Sequence, residues 1–147
     1  MKRSLLSIAA FAGVLAGCSS PSPYPTGWQP APGASGTWVS QSGPGGQTYT
    51  LVKKQYNGSL QDLGEEQAAA VVQKYHGARL TESVTFDPCP GRAAVANFTY
   101  GKSQAIQQAF ATDNGVAVLV TYIRPAGTQA DPAASQAMEH ALCSTTT

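Results

Sequence analysis

The sequence predicts an α+β domain over residues 47–147, an antiparallel β-sheet in the order strand, helix, meander, helix, with the helices packed on it. Three observations carry this reading. Apolar residues alternate through 93–100 and 116–123, they recur at helical spacing within 62–76 and 132–143, and Asp113-Asn114-Gly115 is a hairpin turn between two β-favouring runs. The 130 residues that follow position 17 have room for one small domain and not for two.

Taken in order, Tyr49 to Tyr56 is rich in β-favouring residues and stops at the turn signal Asn57-Gly58. Asp62 with Glu65 three residues later makes a capping-box-like helix start, with Asp in place of Ser or Thr, and Gly77 supplies the stop. Ala68, Val71, Val72 and Tyr75 then form one apolar face that needs a sheet beneath it. Leu80, Val84 and Phe86 read as the apolar side of the next strand, interrupted by Glu82 near the sheet edge. Asp87-Pro88-Cys89-Pro90-Gly91 reads as a rigid turn, after which Ala93 to Tyr100 resumes the β pattern and Gly101 breaks it.

The segment 103–112 is ambiguous, because Ala105 to Phe110 suits a helix by propensity. The turn at Asp113-Asn114-Gly115 and the β-rich run beyond it favour a strand. Val116 to Ile123 is apolar on both faces, which predicts the centre of the sheet or cover on both sides. Asp131 then caps, and Pro132 opens, a final helix with Ala134, Met138, Ala141 and Leu142 as its buried stripe.

Ahead of this domain, Lys2 and Arg3 precede an apolar run from Leu5 to Leu15, the form of a secretory signal peptide. The run is well short of the roughly 20 residues a spanning helix needs. It closes with Leu15-Ala16-Gly17-Cys18, which resembles the lipobox of bacterial lipoproteins. The resemblance implies that residues 1–17 are removed, that Cys18 becomes the lipidated first residue, and that the protein is a lipid-anchored cell-envelope protein. Ser19 beside that cysteine implies the outer membrane, facing the periplasm, in a Gram-negative host. Residues 18–46 then read as a tether, since 19–46 holds six prolines and six glycines. Within it Thr37-Trp38-Val39-Ser40 has the character of a short edge strand, whereas Trp28 is a candidate contact for a partner.

With Cys18 assigned to lipid, Cys89 and Cys143 are the remaining thiols, and in an exported protein they most simply pair. Such a bridge closes a loop of about 54 residues, worth roughly 4 kcal/mol in the chain-entropy model. It pins the final helix to the turn between two strands.

Removing 1–17 takes two of nine basic residues and leaves seven against eight acidic ones, a net charge near −1. A nearly neutral chain without a basic cluster offers no footprint for nucleic acid, so the expected membrane contact runs through the N-terminal lipid. No cofactor is implied. Gly33-Ala34-Ser35-Gly36 lacks the spacing of a nucleophile elbow, and Gly43-Pro44-Gly45-Gly46 lacks the Lys-Ser or Lys-Thr of a phosphate loop. His76 and His140 fall at predicted helix ends, and Glu65 and Glu66 in a first turn, where the helix dipole explains them. Arg79, Arg92 and Arg124 are candidates for a shared anion patch.

Ala109-Phe110 before Asp113-Asn114-Gly115, then Val118 to Tyr122 and a closing helix, resembles the small α/β/α sandwich of the Mog1/PsbP type, which includes bacterial lipoproteins. The resemblance implies a binding or assembly module rather than an enzyme. The leading expectation is therefore a non-enzymatic module that contacts another envelope protein, with Asp113, Asn114 and Gly115 as the loop, and Trp28 as the aromatic, offered to it. The alternatives are an inhibitor or immunity protein against an envelope-acting toxin or lytic enzyme, and a small hydrolase.

Overall fold

A computed structural model of the chain describes residues 22–40, 46–89 and 91–143. Its elements are β1 (Gln29–Pro30), β2 (Thr37–Val39), β3 (Thr48–Gln55), α1 (Leu60–Lys74), β4 (Arg79–Cys89), β5 (Gly91–Tyr100), β6 (Gln104–Asp113), β7 (Val116–Pro125) and α2 (Pro132–Cys143). The seven strands form one sheet in the order β1-β2-β3-β7-β6-β5-β4, antiparallel at every pairing. This is the predicted α+β class.

The central strand is β7, flanked by β3 and β6. Its alternation sets the two faces. Ala117 and Leu119 join Leu63 and Val71 of α1 in one buried cluster, with Ala94, Ala96 and Phe98 of β5 and Ile106 and Phe110 of β6. Val118, Val120 and Tyr122 point the other way, into a cluster with Ala134, Ala137, Met138, Ala141 and Leu142 of α2. One helix therefore covers each face, which is why β7 is apolar on both sides. Segment 103–112 is the strand that the turn chemistry favoured, and Asn114 (φ 49°) with Gly115 (φ 80°) supplies the two left-handed residues of a tight hairpin.

The position of α1 follows from topology. It links β3 to β4, which lie four strand spacings apart, about 19 Å. Fifteen helical residues span about 22 Å, so the helix crosses the sheet and leaves a depression on either side of it. Its start lies earlier than Asp62 with Glu65 suggested. Ser59 is the N-cap, its Oγ accepts from the Asp62 amide at 3.0 Å, and Asp62 Oδ2 accepts from the Ser59 amide at 3.3 Å. The buried stripe includes Leu63, and Val72 is 45% exposed, outside the stripe that the sequence assigned to it. At the other helix, Asp131 Oδ1 accepts from the Ala133 amide at 2.9 Å, as its capping position predicts.

Two expectations are corrected here. The stretch read as a tether is part of the fold over 22–40: β1 and β2 extend the sheet, and Trp28 is only 7% exposed. Its indole meets the Tyr122 ring edge-on at 6.1 Å, while Tyr24 lies against Trp38 at 4.3 Å and the Tyr49 hydroxyl donates to the Pro23 carbonyl at 2.9 Å. Aromatic burial outweighs the turn-rich composition around it. The second correction concerns β4. Its pairing with β5 shifts between Leu80 and Glu82, so Leu80 shares a face with Ser83 and Thr85, while Val84 and Phe86 occupy the opposite face. An extra residue in a bulge reverses the alternation that the sequence pattern assumed.

Candidate interaction surface

The sheet ends differently at its two edges. At one, β1 is two residues long; at the other, β4 runs for eleven residues and, among the described residues, pairs only with β5. The β4 side chains from Arg79 to Asp87 are exposed, apart from a half-buried Phe86. Leu80 is 51% and Val84 46% exposed. An edge of this length is a template for a further strand. Bulges near both ends confine the regular part to 82–86, which limits the uncontrolled pairing that a long flat edge invites. At Glu82 the edge is tied back, because Asn97 Nδ2 donates to Glu82 Oε2 at 3.3 Å and Thr81 Oγ1 donates to the Asn97 carbonyl at 3.0 Å.

Beside this edge lies a groove of about 470 Å³ between β4 and α1. Small residues make it. Ala94 and Ala96 form its floor with Phe110, Gly64 and Ala68 its helical wall, and Leu80 its rim on β4. A Cβ at Gly64 would lie 3.1 Å from Phe110 Cζ, so glycine lets the helix approach β6 closely. Arg92 at the rim makes a long ion pair with Asp87, 3.9 Å between exposed groups and worth about 0–1 kcal/mol.

The residues singled out by sequence are dispersed. Asp113, Asn114 and Gly115 form the β6–β7 turn, where the Gly115 carbonyl accepts from the Tyr56 amide at 2.8 Å, and the turn is thereby held against the segment that leads into α1. Trp28, proposed as a partner contact, is removed from that role by its burial. The three arginines do not converge. Arg124 Nε donates to the Thr128 carbonyl at 3.0 Å and its guanidinium lies 5.7 Å from the Tyr122 ring centroid, whereas Arg79 and Arg92 sit near opposite ends of the β4–β5 ladder. His76 follows α1 on one face of the sheet and His140 lies on α2 on the other. Glu65 accepts from Gln61 one turn before it, and Glu66 accepts from the Tyr56 hydroxyl at 3.3 Å. Cys143 closes α2 and is disulfide-bonded. Cys89 ends β4 with its side chain outside the described residues, and Cys18 lies outside them altogether.

No protein-family model matches this chain, and no curated protein matches it. Among solved structures, it is similar to the PsbP protein CyanoP of Synechocystis sp. PCC 6803, with a TM-score of 0.49 and 12% identity over 68% of this chain and 71% of that one.

The edge surface itself was missed by sequence reasoning. The signal was present in Thr81-Glu82, where two polar residues interrupt the apolar alternation, and in alanines at 94 and 96 where a covered strand favours larger residues. What hid it was the assumption of a continuous β4.

Proposed function

We propose that this protein is a lipid-anchored cell-envelope module without catalytic activity, and that it binds an extended segment of another envelope protein along β4. The exposed edge at 82–86, with the apolar groove alongside, is the observation that carries this reading. A bound strand satisfies the outward-facing backbone groups of β4, and its alternate side chains enter the groove. The anchor rests on the Leu15-Ala16-Gly17-Cys18 pattern after Lys2 and Arg3. Since the described residues begin at Ser22, only four residue steps separate them from Cys18, at most about 14 Å of chain. The domain is then held close to the bilayer, not far above it.

Within the same reading, Cys143 pairs with Cys89. The disulfide at Cys143, the end of β4 at Cys89 and the packing of α2 against β4 support that pairing. The bridge fastens the edge strand to the helix behind it, so a partner meets a strand whose end is fixed.

Val84→Lys tests the proposal. The residue is exposed, so thermal unfolding should move by less than about 0.5 kcal/mol, while co-purification of the partner with the full lipidated chain should be lost. Retained capture, or turnover of an envelope substrate by the purified protein, would contradict it.

A further inference from the structure

On the other side of α1, toward β3 and β7, lies a second cavity of about 260 Å³ with a different chemistry. Its floor is apolar, from Val71, Leu119 and Ile123, but its walls carry Thr48 and Thr50 of β3, Thr121 of β7, and Gln67 of α1. Among the described residues, Lys74 is the only formally charged one in the lining. Gln108 of β6 also lines it and is 5% exposed. Its Nε2 donates to Gln67 Oε1 and to Thr121 Oγ1, both at 3.2 Å, while its Oε1 is buried without any hydrogen-bond partner. Among the described residues this is the one buried side-chain polar atom in that condition. Turning the amide over exchanges the two atoms and leaves the other one unpaired.

An unsatisfied buried acceptor costs about 1–3 kcal/mol, a cost that a bound donor offsets. The groups around it say what that is. Gln108 Oε1 requires an N–H or O–H donor. The threonine hydroxyls give or accept hydrogen bonds, and the lysine ammonium, 5.5 Å from the Tyr75 ring centroid, favours an anion at the mouth. Among the described residues no carboxylate lines the cavity to repel one. We infer that this cavity is a binding site for a small ligand that joins an amide to a carboxylate. The amide N–H reaches Gln108, its carbonyl takes a threonine hydroxyl, and the carboxylate meets Lys74. The volume, just under the roughly 300 Å³ at which ligand pockets usually begin, suits a dipeptide or a single sugar. That chemistry comes from two sources, the carboxyl end of a short peptide and an N-acetylated sugar acid. The site is separate from the β4 surface and does not depend on it.

Titration of the full-length, isotope-labelled chain in detergent by NMR tests this, with acetyl-Ala-Ala and N-acetylmuramic acid as probes. The Gln108 side-chain amide and the backbone amides of Val71, Leu119 and Thr121 should shift with at least one probe, and the responding probe identifies the source. Acetyl-Ala-Ala carboxamide, which lacks the charge, should bind about tenfold more weakly than its acid. Lys74→Ala, an exposed substitution, should weaken the acid by the same factor and leave the carboxamide unchanged. Absence of shifts with both probes, equal binding of acid and carboxamide, or shifts confined to the β4 groove would each overturn the assignment.

Discussion

Tyr122 joins three parts of the molecule through one hydroxyl. It donates to Gln47 Oε1 at 2.6 Å and accepts from the Asp131 amide at 3.0 Å, linking the approach to β3, the central strand and the start of α2. Tyr122→Phe should cost about 1–3 kcal/mol, because it leaves the buried Gln47 carbonyl oxygen without that donor; chemical denaturation measures it. Burial also pushes the phenols of Tyr49 and Tyr122 upward, for Tyr122 against the opposing Asp131 amide and Arg124. The folded state keeps both protons at a pH where the unfolded chain, with phenols near 10, gives them up. Stability present below about pH 10 should therefore fall as pH rises beyond it. The urea midpoint should drop between pH 9 and 11, and by less in Tyr49→Phe, which has one buried phenol fewer. None of this was legible in sequence. A tyrosine reads as β-favouring and amphipathic, and only the sheet register decides that its hydroxyl finds a buried glutamine 75 residues away.

Elements were more legible than their edges. The β6–β7 hairpin follows from Asn114 and Gly115 alone, since few other residues accept positive φ at consecutive positions. The turn overrode the helical propensity of Ala105 to Phe110. By contrast, α1 started three residues before the position inferred, because Ser59 follows a turn-forming Asn57-Gly58 and reads as part of it. Ser59→Ala should destabilise the protein by about 1 kcal/mol, seen as a lower thermal midpoint, whereas Glu65→Ala should stay within about 0.5 kcal/mol. In β4, a bulge cannot be read from periodicity, because it consists of a break in the period. That break hid the candidate surface.

For the whole molecule, composition misled most. Proline and glycine within 22–40 suggested a spacer, yet the four aromatics Tyr24, Trp28, Trp38 and Tyr49 bind that stretch to the sheet. A chain entropy argument weighs residues one at a time, and one buried and one half-buried indole offset many turn residues. Trp28→Ala should cost about 3–5 kcal/mol; a change under 1 kcal/mol in calorimetry would return the segment to the role of a tether. The candidate sites depend on the same global geometry. Helix α1 has to cross from β3 to β4, and the two depressions it leaves, one apolar and one polar, come from residues distant in sequence.

The central claim is that β4 receives a strand from another envelope protein. Site-specific photo-crosslinking in intact envelopes, from a reactive residue placed at Val84 of the lipid-anchored chain, tests it most directly. The account predicts one dominant adduct, joined through an extended segment of a different protein, and none from the equally exposed Val72 on α1. Equal labelling from both positions, or an adduct only with a second copy of this chain, would contradict it.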